Sequence, residues 1–224
     1  RRRPGVGAGP PAGTRGTETA PVPRIDPDDE GGATDGALRD AWSSVGEVEE
    51  LEAPLSAPPG TRNQGWLLVR PEDGDPLLAT DGLHAGEGVA ALGPGAEVFI
   101  VDPDAGTDSW RFALLAAVAR RVRASGLHLP AELERYGTLS MALAGVPAPT
   151  GWRSGDDRVG VLLGLPEPTL PQAVATSAGE VALVSVTPLR PAELQEIIDG
   201  GGTARARVAG RLAATPVRAR HDRD

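Results

Sequence analysis

The chain has 224 residues with 40% hydrophobic content, enough to bury one substantial core, and a formal net charge of -9. It has no cysteine, which excludes disulfides, thiolate nucleophiles and cysteine-ligated metal centres. Its acidity disfavours broad binding to nucleic acid or anionic lipid, whose phosphates demand a concentrated positive surface.

Residues 1–63 read as a region without a core of its own. Arg1 to Pro23 is mostly Gly, Pro, Ala and Thr with scattered Arg, a composition that cannot offset chain entropy, and it predicts disorder. The three leading arginines are not followed by an apolar stretch, so no signal peptide is read and a cytoplasmic location is expected. Asp26 to Glu52 is acidic. Within it Leu38, Trp42, Val45, Val48 and Leu51 recur at three- and four-residue intervals, which fits a short helix, although a loosely ordered acidic linker is the simpler reading.

The folded domain is expected over 64–213. Trp66 to Val69 forms a first strand, closed by the Pro71 to Pro76 turn cluster. Leu77 to Thr80 forms a second, ending at Asp81-Gly82, and Ala96 to Val101 a third, rich in β-branched and aromatic residues. A helix follows, capped by Asp108 or Ser109, with Phe112, Leu115, Val118 and Val122 on one face and a stop at Gly126. Phe112 to Ala119, the longest apolar run, is far short of the roughly 20 residues that span a bilayer. Pro130 to Tyr136 predicts a shorter helix. Thr138 to Leu143, Val159 to Gly164 and Val181 to Val186 predict further strands. Thr187 is the expected cap of a helix carrying Glu193, Leu194, Ile197 and Ile198, which ends at Gly200 to Gly202. Thr203 to Ala213 predicts a last helix, and 214–224 an unstructured basic end. Strands, a helix pair, strands and helices in that order predict an α+β fold with a mixed or antiparallel sheet and helices mainly on one face.

Candidate chemistry is sparse. Asp81, His84 and Glu87 cluster in a glycine-bounded stretch where a carboxylate could orient an imidazole, but a solvated loop explains the same residues. No serine lies in a Gly-x-Ser-x-Gly turn. The glycine-rich stretches have neither dinucleotide spacing nor a P-loop lysine, so no cofactor is expected, and no metal site is read. Trp66, Trp110 and Phe112 read as core. Trp152 and Arg153, in a stretch bearing Pro147, Pro149, Gly151 and Gly155, read as an exposed interface.

Five segments together resemble the suppressor of fused family, in a bacterial-type form. They are PLLATDGL (Pro76 to Leu83) followed by AEVFIVD (Ala96 to Asp102), WRFALLAAVARRV (Trp110 to Val122), YGTLSM (Tyr136 to Met141), RVGVLLGLP (Arg158 to Pro166) and VALVSVTPLRPAEL (Val181 to Leu194). Thr80, Gly82, Leu83, Glu97, Trp110, Thr187, Glu193 and Leu194 stand at places that match the family pattern. Leu77, Leu78 and Ala79 replace the aromatic residues common there before the Thr-x-Gly-Leu turn. The resemblance implies a non-enzymatic protein-interaction domain. Eukaryotic members sequester a transcription factor of the Hedgehog pathway, and bacterial members look like immunity proteins that neutralise toxins. It makes a protein partner, such as a basic toxin domain, the expected ligand, with Asp81, His84, Glu87, Trp152 and Arg153 as candidate partner-binding residues. The alternative is a hydrolase-type enzyme using Asp81, His84 and Glu97.

Overall fold

Apolar side chains crowd into three strands early in the chain, and these, together with an acidic strand before them, pair with their sequence neighbours. In the computed structural model, which describes residues 36–52, 65–84, 95–104, 106–177, 179–216 and 220, β1 (Gly46–Leu51), β2 (Gly65–Pro71), β3 (Leu77–Asp81) and β4 (Ala96–Val101) form an antiparallel meander. β3 and β4 are buried along their whole length, because both faces of the sheet are covered there. β5 (Leu139–Ala144), β6 (Arg158–Leu163), β7 (Ala173–Thr176) and β8 (Gly179–Leu189) complete an eight-stranded sheet in the order β1-β2-β3-β4-β8-β6-β5, with β7 also on β8. Only β4 and β8 pair in parallel among the described strands. The class is α+β with a mixed sheet.

The helices divide between the faces. α2 (Trp110–Ser125) and α3 (Leu129–Tyr136) cover one, where Phe112, Leu115 and Val118 meet Leu78, Val98 and Val184. Ser109 caps α2 by accepting a hydrogen bond from the Arg111 amide at 3.1 Å, and Gly126 ends it at φ 64. The other face carries α1 (residues 36–43) at one end and α4 (Pro191–Ala213) at the other, with Leu38 and Trp42 packed on Leu67 and Phe99, and Leu194 and Ile197 on Leu162. The one-sided arrangement expected from sequence therefore describes α2 and α3 alone.

Three local expectations are corrected. The apolar spacing over 38–51 serves two elements, since the helix stops at Ser43 and a strand follows. In that strand Val48 packs with α1 while Leu51 packs with the α2 face, as a separation of three requires in extended chain. Trp42 is fully enclosed, its ring edge-on to Phe99 at 5.6 Å, so this segment is core and not a linker. Thr187 lies inside β8, and α4 starts at Pro191 instead, where Glu193 accepts a hydrogen bond from the Arg190 amide at 2.8 Å.

α4 is two arms. Gly201 adopts φ 59 and ψ -143, a conformation that excludes side chains with a Cβ, and the chain doubles back there. Glu196 consequently meets Arg207 at 3.3 Å and Arg211 at 2.6 Å, whereas an unbroken helix would hold residues 196 and 211 about 22 Å apart. The helix stop at the glycine cluster and the second helix after it are thus both present. None of the described helices is long and apolar enough to cross a membrane.

Candidate functional site

The residues singled out from sequence do not converge. Asp81 ends β3, and Gly82 turns the chain at φ 90, its carbonyl accepting a hydrogen bond from Arg123 at 3.4 Å. Asp81, nearly enclosed, accepts two hydrogen bonds at 3.2 Å from the guanidinium of Arg39 in α1. Arg39 also pairs with Glu50 of β1, so it ties the edge strand and α1 to the end of β3. His84 goes elsewhere. Its Nδ1 lies 2.6 Å from Glu97 Oε1, which also accepts the His84 backbone amide at 2.8 Å. Glu97 is 0% exposed and the His84 side chain 11%. This pair pins the start of the β3–β4 connection to β4. It also has the form of an imidazole oriented by a carboxylate, one part of a general base. Glu87 lies outside the described residues. No group of three or more His, Asp or Glu side chains suited to a metal ion occurs among the described residues.

Trp152 is not on the surface. A single turn of 3-10 helix, Thr150–Trp152, swings the indole inward until it is 5% exposed, with its centroid 5.4 Å from that of Trp110. The Arg190 guanidinium stacks 3.9 Å above it and donates to the Gly151 carbonyl at 3.2 Å. The exposed interface read from sequence at Trp152 is therefore an internal brace between this loop and the start of α4. Arg153, partly exposed, pairs with Asp157 at 2.9 Å. His128 packs over the backbone of Gly95, where an added Cβ would come within 2.5 Å of its ring.

The feature that sequence reading missed is an acidic cleft of about 1210 Å³. It lies where the end of α1 and the start of β1 face the β2–β3 turn and the loop after β6. Among the described residues, Glu47, Glu72, Asp73, Asp75 and Glu167 line it against one basic side chain, Arg70, which pairs with Glu49 at 3.4 Å. The run Glu72-Asp73-Gly74-Asp75 was visible as a turn, but the arrival of Glu47 and Glu167 beside it depends on pairing between distant segments.

Glu167 is the buried member of this set, 4% exposed. Its Oε1 accepts a hydrogen bond from Arg220 at 2.5 Å, so part of the stretch expected to be an unstructured basic end is packed inside. Its Oε2 accepts no hydrogen bond from the described residues. Burial pushes the Glu167 carboxyl above the ordinary glutamate range, against the opposing pull of Arg220. A cleft of this character suits a guanidinium or an ammonium group.

No family model matches the sequence, and no curated protein matches it. Among solved structures the chain is similar to a SUFU (suppressor of fused protein) homolog from Neisseria gonorrhoeae FA 1090, with a TM-score of 0.45 and 11% identity over 85% of this chain and 93% of that one. It is also similar to a chain of the Sufu-Fu complex, with a TM-score of 0.40 and 13% identity over 80% of this chain and 82% of that one.

Proposed function

We propose that this chain is a protein-interaction domain that binds and masks a basic partner protein. The observation that carries the reading is the acidic cleft, since five carboxylates around one cavity complement a cationic surface and would steer its approach. The resemblance read in the sequence to the suppressor of fused family supports the same class of function. Within that class the reading is an immunity-type protein of the cytoplasm, with a nucleic-acid-degrading toxin as partner, because such toxins carry the positive surface that phosphate binding demands. It works without cofactor or chemistry of its own and engages neither nucleic acid nor membrane.

The His84–Glu97 pair favours a second reading, a hydrolase-type enzyme. Capture experiments on the full chain separate the two. A stoichiometric basic partner is expected, with affinity falling steeply between about 50 mM and about 300 mM salt as surface charges are screened. Turnover of a screened substrate that is lost in folded H84A and E97Q variants, with no such partner recovered, would replace the binding reading with the enzymatic one.

A further inference from the structure

The bend in α4 has an alternative geometry. Only Gly201 departs from helical backbone between Pro191 and Ala213, so rotation at that one residue would join the two arms into a continuous helix of 23 residues. The bend itself is tight, since a Cβ at Gly200 would come within 2.6 Å of the Ala204 Cβ. Short, constrained hinges of this kind favour exchange of the element beyond them between copies.

The contacts of the second arm do not depend on which copy supplies it. Ala204, Val208 and Leu212 are at most 2% exposed, and Val208 and Leu212 pack in one cluster with Leu162, Leu165, Leu194 and Ile197. Glu196 of the first arm holds Arg207 and Arg211 of the second, and beyond that arm Arg220 reaches the buried carboxylate of Glu167. An arm that swung out alone would uncover the apolar surface and strand the Glu167 carboxylate, a large penalty. An identical arm from a second copy restores all of these contacts, which is the condition for domain swapping.

A separate observation places a neighbour at the hinge. Ile198, three positions before Gly201, is 62% exposed, the most exposed large apolar side chain among the described residues. The other large aliphatic residues of α4, Leu194, Ile197, Val208 and Leu212, are all buried. In a swapped pair the straightened helices leave their own domains beside Ile198 and cross there, which gives each isoleucine an apolar counterpart.

We infer that α4 is an exchange element, through which two copies of this chain trade second arms and each completes the core of the other. The glycine cluster sets the balance. The bend needs a backbone conformation that glycine alone adopts readily, while three consecutive glycines weaken the straight helix. The bent monomer is therefore the dilute form and the exchanged dimer the concentrated one, by mass action.

The test uses the full chain, which has no cysteine, with spin labels at E196C and R211C. Both residues are partly exposed, and an exposed ion pair contributes little, so the labels leave the fold intact. The two positions are neighbours in the bent form and about 22 Å apart along a straight helix. G201A is expected to lower the dimer dissociation constant by about tenfold or more in light scattering, because alanine opposes the bend and favours the helix. In its dimer, re-equilibrated with excess unlabelled chain so that only labels within one chain are read, the long distance is expected. A folded G201A that stays monomeric refutes the exchange, and so does a dimer that keeps the short in-chain distance. If G201A does not fold, the labelled parent decides at about 0.5 mM, where a dimer with the long distance supports the exchange and a monomer, or a dimer with the short one, refutes it.

Discussion

Asp81 and His84 stand three positions apart and end with different partners, one on α1 and one on β4. Their separation follows from Gly82, whose positive φ turns the chain between them. A β-branched side chain is strongly disfavoured there, so Gly82→Val is expected to cost about 1–3 kcal/mol, read as a lowered urea midpoint. A midpoint equal to the parent's would contradict the need for that conformation. At this scale the sequence was legible in residue type and not in pairing. The glycine turn after Asp81 and the Ser109 cap needed only local reasoning. Arg39 with Asp81 is a pairing across 42 positions, and Trp152 beneath Arg190 depends on a loop meeting a helix start, so neither could be found from spacing.

Elements whose burial matched their period were readable, and those that broke the pattern were not. β2, β3, β4, β6 and β8 carry runs of Leu, Val and Ile, and α2 repeats its apolar residues every three or four positions. β1, GEVEEL, has three glutamates because it is an edge strand exposed along much of its length, and charge there discourages pairing with other chains. Its neighbour α1 shows little apolar repeat over its described residues, yet Trp42 makes it part of the core. Trp42→Ala is expected to cost about 3–5 kcal/mol in chemical denaturation, the range of a buried aromatic truncation. A loss below about 1 kcal/mol would mean that α1 detaches readily.

The two arms of α4 offer a pH test. Hydrogen bonding from Arg211, helped by Arg207, holds the Glu196 carboxyl below the ordinary value of 4.5. A carboxylate depressed in the folded state stabilises above its unfolded value, and that contribution is lost as pH falls through the lowered one. Amide protection over residues 203–213 is therefore expected to decline selectively in acid below 4.5, and E196Q should abolish the dependence. Protection that is unchanged in acid would show that the buried Ala204, Val208 and Leu212 hold the second arm unaided.

At the scale of the whole molecule, Glu167 joins the cleft, the loop after β6 and the C-terminal Arg220. Its burial-raised carboxyl reverses the sign found for Glu196. The folded state binds that proton more tightly than the unfolded chain does, so the contribution is fully present below the unfolded value and is lost as pH rises through the raised one. Subtracting the stability of E167Q from that of the parent between about pH 4 and about pH 7 should give a difference that falls with pH. A difference that rises instead would mean that the Arg220 pairing outweighs burial. None of this long-range wiring was available from the sequence, where the acidic turn at 72–75 and the tail arginine lie far apart.

β8 is the seam of the sheet. It pairs in parallel with β4 and antiparallel with β6 and β7, and so joins the early meander to the β5–β6 hairpin. A ribosome making this protein thus finishes two half-sheets, each with an open margin, well before the strand that stitches them emerges. Premature termination before Gly179 would leave two open-edged fragments and no miniature version of the domain.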